Sequence, residues 1–423
     1  MQAGSAGRII PHIVEQHAEE AAFLWLLRDA AVDAPHYDLK DLARLDERVE
    51  AHIDGLRVAG EPGWEIALAQ LDQHQEAGEL FATGVLALES QDPTRIDGVA
   101  ALAEAVPEAT RGLISALGWL RPESLRGIVK SFLDDASPLR RMLGLAACSV
   151  HRVDPHSYLG RLLRDDAPIV RSRALRLVGE LGRAELNQEL REAVRDPDDT
   201  CRFWAAWSAG LIGERGPTIP ILKQHAEGDG AFKWRALDLV LRIMPQPEAM
   251  AWLRSLNSDP KHARLAVTAC GIVGDPAFVP WLIGRMAIPE LARAAGESFS
   301  MITGIDLAYD DLEKDAPEGF EAGPTDNPAD DNVALDPDED LPWPDPVLLQ
   351  KWWQDNGARF TAGTRHLLGR PLSPEACQHA LTTGFQRQRR AAAFELALAR
   401  PEAPLFNWRQ QARPQPQPGS TSS

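Results

Sequence analysis

Six residues near the N-terminus are of the types that ligate metals. His12, Glu15 and Glu19 are spaced i, i+3 and i+7, so one helix face could present all three, and His17, His36 and His52 follow nearby. Imidazole with carboxylate suits zinc or iron. However, the Glu-x-x-His pair of bundle di-iron sites is absent. The expectation is therefore a solvated or cap-forming polar face, with no metal ligand assigned. Asp326, Asp330, Asp331, Asp336, Asp338 and Asp340 offer hard oxygen donors for calcium, but the alternating Asp and glycine spacing of an EF-hand loop is missing. The chain has no G-x-x-x-x-G-K-[ST], no G-x-S-x-G, and no G-x-G-x-x-G after a strand. Its four cysteines, at 148, 201, 270 and 377, make no C-x-x-C pair. No catalytic residue and no cofactor can be assigned, and the expectation is a protein that is not an enzyme.

The elements behind these residues are more informative. Arg111, Arg141, Arg171, Arg202, Lys233 and Arg264 are separated by 30, 30, 31, 31 and 31 residues. Each sits near the start of an apolar, Ala/Gly-rich stretch, and most follow acidic residues such as Asp134-Asp135, Asp165-Asp166 and Asp196-Pro197-Asp198-Asp199. A fixed period of this length marks a repeat architecture. Six helix pairs are predicted, over 107–135, 137–166, 168–196, 198–229, 231–258 and 260–287. Leu159, Leu190, Leu222, Leu253 and Leu282 recur as the buried stripe of the second helices.

Around this array, 91–305, the chain divides as follows. Residues 1–8 and 413–423 are expected to be disordered. Residues 9–90 read as an N-terminal helical cap of the kind a repeat stack needs to close its apolar end. Residues 346–412 read as a C-terminal helical module. Between Asp306 and Asp345 there are 15 acidic residues and one basic residue, Lys314, so this window carries −14 of the formal −18. It is rich in Pro and Gly and poor in apolar side chains, and the expectation for 306–345 is a disordered acidic insertion. No apolar run is long enough for a signal peptide or a membrane span, which leads to a cytoplasmic, non-membrane expectation. The net negative charge argues against nucleic acid as a partner.

DPDDTCRFWAAWSAGLIGERGPTIPILKQH and VTACGIVGDPAFVPWLIGRM resemble HEAT repeats, especially the bacterial subtype named after phycobilin lyases. The resemblance implies an all-α fold, a HEAT-type α-solenoid forming a right-handed superhelix, in which the basic column from Arg111 to Arg264 is a structural ladder between neighbouring repeats. HAEEAAFLWLLRDAA, DLARLDERVEAHIDGLRVAG, WWQDNGARFTAGTRHLLGR and GFQRQRRAAAFELALARP resemble a family of proteobacterial HEAT-repeat proteins often encoded beside type VI secretion genes. That resemblance implies a fold and a genetic neighbourhood and carries over no catalytic residues. HEAT arrays can be enzymes, but the His-Glu dipeptides with which deoxyhypusine hydroxylase holds two irons are absent here. A lyase- or hydroxylase-like enzyme and a HEAT-like nucleic-acid binder remain the alternatives to a protein-binding scaffold.

The second helices carry basic residues at related positions: Lys130, Arg161, Arg191, Lys223, Arg254 and Arg285. Cations late in a helix complement its dipole, which alone accounts for much of this pattern. The stripe could also receive an acidic segment of a protein partner, or the chain's own 306–345 in an intramolecular contact.

Overall fold

The computed structural model describes residues 9–323 and 335–412. The expected disorder of 1–8 and 413–423 falls outside those residues. Among the described residues the fold is all-α apart from one two-stranded hairpin and an isolated bridge. The described residues divide into two compact units, one formed by 9–33, 37–181 and 407–412, the other by 34–36, 182–323 and 335–406.

The first unit begins with α1 (Pro11–Ala31), α2 (Leu39–Ala59), α3 (Glu61–His74), α4 (Ala77–Ser90) and α5 (Pro93–Ala105). Asp38 caps α2 by accepting from the Lys40 and Asp41 amides at 2.8 Å each, and Gly60 at φ 65° ends it. The predicted pairs follow as α6 (Thr110–Trp119) with α7 (Ile128–Asp134) and α8 (Pro138–Val150) with α9 (Ser157–Leu162), then α10 (Pro168–Leu181). Trp25, Phe81 and Trp119 form the aromatic centre of this core, with Trp25 stacked on Phe81 at 5.3 Å and Trp119 edge-on to it at 5.2 Å. Residues from Asn407 belong to this unit rather than to the C-terminal module: the Ala412 amide donates to Asp46, and Arg409 bonds Asp29 at 2.9 Å.

The second unit continues the period with α11 (Asn187–Ala193), α12 (Asp199–Leu211), α13 (Thr218–Glu227), α14 (Lys233–Ile243), α15 (Gln246–Asn257), α16 (Ala263–Val273) and α17 (Val279–Arg285). After these come α18 (Pro289–Thr303), α19 (Pro346–Asn356), β1 (His366–Leu367), β2 (Arg370–Pro371), α20 (Pro374–Thr383) and α21 (Gln386–Ala399). The hairpin turns on Leu368 and Gly369, both at positive φ. Its turn amides donate to the Met301 and Ile302 carbonyls, so it satisfies the open end of α18.

The described parts of the acidic segment are folded, which corrects the expectation of disorder over 306–345. Residues 324–334 lie outside the description. The Lys314 amide donates to Trp343 O at 2.8 Å and the Asp345 amide to Leu312 O at 2.9 Å, drawing the two arms together. Leu307 and Leu341 are buried. Asp338, 5% exposed, bonds Arg264 through both carboxylate oxygens, at 2.7 and 2.5 Å. Arg293 donates to Asp338 O and to the Asp336 carboxylate and lies 4.6 Å over the Trp343 ring. A few apolar anchors and two arginines suffice to order a stretch whose average composition reads as unfoldable.

Candidate functional site

The ladder has a repeated geometry. Arg141 donates to the carbonyls of Asp135 and Ala136, Arg171 to those of Asp165 and Asp166, and Arg202 to those of Asp196 and Pro197. Each arginine thus reaches back to the residues five and six before it. The acid at the sixth position makes its own turn, accepting from the amide two residues on: Asp135 from Ser137, Asp165 from Ala167, Asp196 from Asp198. Arg141 also grips Asp165 of the next repeat through two bonds, at 2.8 and 2.9 Å. Burial opposes the Asp165 charge, but Arg141 and the Ala167 amide outweigh it and hold the carboxyl below its ordinary range. Arg111 meets Asp29 of the cap instead, and Lys233, which has no fork, pairs with Asp229.

Arg264 takes its carboxylate from far along the chain. Arg141 finds its acid 24 residues on, whereas Arg171, Arg202, Lys233 and Arg264 have Arg195, Ala226, Asn257 and Ile288 at that distance. Arg264 is met by Asp338. The Asp338 amide donates to Asp336 at 2.9 Å, so Asp336-Pro337-Asp338 repeats the turn of Asp196-Pro197-Asp198. The acidic segment supplies a stand-in for an inter-repeat loop.

The second-helix stripe is present but largely answered by local acids, carbonyls and rings. In the first unit Lys130 is exposed, and Arg161 donates to Leu133 O at 2.8 Å, to Asp134 at 3.1 Å, and covers Tyr158. In the second, Arg191 pairs with Glu214, Lys223 with Glu227, and Arg285 lies over Trp281, while Arg254 is exposed. Arg161 of α9 thus caps a carbonyl at the C-terminal end of α7 rather than of its own helix. The described ion pairs of 306–345 are with Arg264, Arg293 and His36, so the intramolecular contact exists but lies at the ladder rather than at the stripe.

Of the N-terminal polar set, His17 and His52 meet, Nδ1 to Nδ1, at 3.2 Å. Glu15 and Glu19 face Gln70, His36 lies 3.7 Å from Asp340, and His12 is exposed. Among the described residues no group of three or more His, Cys, Asp or Glu is placed to hold a metal ion. The cysteines are buried, and burial pushes the Cys148 and Cys377 thiols up to about 11, so neither is a ready nucleophile.

The most charged buried site was not anticipated. Glu180, at the end of α10, is 2% exposed and accepts from Ser149, from Arg173 at 3.2 Å and from Arg176 at 2.8 Å, with Arg152 at 4.0 Å. Burial opposes its charge, but Arg176, Arg173 and Arg152 override that and hold it far below the ordinary carboxylate range. Burial pulls the Arg173 guanidinium down to about 10. Arg173 and Arg176 fall seven and four residues before Glu180, and that spacing on one helix face is the signal that could have exposed the site.

Two half-buried histidines set a pH dependence. Burial lowers the pKa of His151, outweighing the Leu117 carbonyl and Glu123. Its Nε2 lies 2.8 Å from that carbonyl, and only a protonated Nε2 can make the bond. Burial also lowers His225, against Asp199. A folded-state pKa below the unfolded value of about 6.5 means the unfolded chain takes up protons first. This stability is complete above about pH 6.5 and is lost as pH falls through the folded pKa. The melting temperature should drop between about pH 7.5 and 5. His151→Gln should flatten that drop in calorimetry, and an unchanged slope would refute the assignment.

α1 presents a different kind of surface. Phe23, Leu26 and Leu27 are 56, 41 and 42% exposed and share its outer face with Ala30, opposite buried Val14, Ala21 and Trp25. A family model for HEAT repeats matches residues 158–239, from α9 into α14. No curated protein sequence and no solved structure matches the chain. No helix among the described residues is long and apolar enough to cross a membrane.

Proposed function

We propose that the chain is a non-enzymatic protein-interaction scaffold. HEAT repeats commonly serve in this way, and 158–239 matches them. The observation that carries the reading is the Phe23–Leu26–Leu27 face, an apolar patch on the outside of a helix in a protein of net charge −18. Contiguous exposed apolar surface of this kind marks a contact with another protein. The resemblance of the chain's ends to proteins encoded beside type VI secretion genes supports a bacterial secretion assembly as the setting. The neutralised stripe makes a purely electrostatic contact with an acidic partner the weaker mode.

The test uses a photo-crosslinking amino acid at position 23 of the full chain, with the products of neighbouring genes as bait. A discrete adduct at position 23, competed away by unlabelled protein, is expected. Phe23→Asp should change stability by no more than about 0.5 kcal/mol, because the side chain is exposed, and should weaken partner binding at least about tenfold. Unchanged binding in Phe23→Asp would remove α1 as the working surface. Turnover of a small molecule by purified protein would overturn the non-enzymatic reading.

A further inference from the structure

α1 and α2 run antiparallel, because the pairs His17–His52 and Arg28–Asp46 progress in opposite directions along them. The His17 and His52 rings meet across this crossing with centroids 5.1 Å apart and planes inclined at 63°. Gly55 makes the approach possible: a Cβ there would stand 2.6 Å from the His17 ring. Both rings are half-buried, and among the described residues neither has another hydrogen-bond partner. Glu20 of α1 and Arg48 of α2 act on His52 with opposite sign, and Glu19 is taken up by Gln70 of α3.

Two imidazole nitrogens bound to one ion at about 2.0–2.1 Å lie about 2.9 Å apart at a cis right angle and about 3.3 Å apart at a tetrahedral angle. The observed Nδ1 separation is 3.2 Å. We propose that His17 and His52 chelate one divalent transition-metal ion of borderline softness through their Nδ1 atoms, with water completing the shell. Imidazole donors select copper, nickel and zinc over magnesium and calcium, and affinity should rank copper above nickel and zinc. With two protein ligands the ion exchanges freely, so the site responds to metal supply rather than holding a resident cofactor. Binding would clip α1 to α2 and stiffen the helix that carries Phe23. The metal binds the unprotonated imidazoles, so protons compete with it for the site.

The experiment is a calorimetric titration of the full, tag-free chain with copper(II) sulfate and nickel(II) chloride, with electron paramagnetic resonance of the copper complex. One equivalent of copper and superhyperfine splitting from two nitrogens are expected. His17→Gln and His52→Gln should each lower affinity at least about tenfold, whereas His379→Ala, at an exposed histidine of α20, should not. Gly55→Ala keeps both histidines but displaces the His17 ring, and should also weaken binding. A spectrum with one nitrogen ligand or none on the unmodified protein overturns the proposal whatever the variants do, as does unchanged affinity in both folded histidine variants.

Discussion

Glu180→Gln is expected to destabilise the first unit by roughly 3–5 kcal/mol, the cost of removing one partner from a buried ionic group. That corresponds to a melting temperature lower by on the order of 10 °C. Glutamine keeps the shape and the hydrogen bond from Ser149, so the loss isolates the charge. It removes the carboxylate that faces Arg152, Arg173 and Arg176 within 4.0 Å. Arg173, whose affinity for its proton is already reduced by burial, then has no adjacent anion to offset its desolvation. Arg173→Met should cost less, because Glu180 would keep Arg176 and the Ser149 hydroxyl. Differential scanning calorimetry of both variants checks the order. Equal or reversed costs would show that Glu180 is not the centre of the cluster.

The repeat was legible because its chemistry is local. An arginine that binds carbonyls five and six residues behind it, as Arg141, Arg171 and Arg202 do, must keep a fixed place relative to its own loop, and these three show the period directly. The helix pairs followed from that register and match the observed elements. What was not legible depends on contacts distant in sequence. The acidic segment was judged by average composition, which hides Leu307 and Leu341 and the equivalence of Asp336-Pro337-Asp338 with Asp196-Pro197-Asp198. The histidines of the cap stood out individually, but their pairing requires the crossing of α1 and α2 and the space left by Gly55. The basic stripe was visible as a row of cations. Its neutralisation by Asp134, Glu214 and Glu227 was not, because those acids come from neighbouring loops and turns of helix.

Asp338→Asn should produce the other large effect, and a more local one. It removes the charge that both forks of Arg264 engage, and Arg293 loses the rigid turn it reads through Asp338 O and Asp336. Asp338 is buried but Arg264 is about one-third exposed, so water compensates in part and roughly 2–4 kcal/mol is expected. The cost should fall on the segment before the unit as a whole. Hydrogen exchange should quicken at the Lys314 and Asp345 amides, which join its two arms, while amides within α12 and α14 keep their protection. Asp340→Asn is the matched control: it removes an equal charge from a side chain 56% exposed, 3.7 Å from His36, and should change neither exchange nor stability measurably. If Asp338→Asn leaves the arm amides protected, then Leu307, Leu341 and Trp343 hold the segment by packing alone, and the ladder ends at Arg202. If they are released, the pair of Asp338 with Arg264, 74 residues apart in sequence, is what fastens the segment to the array.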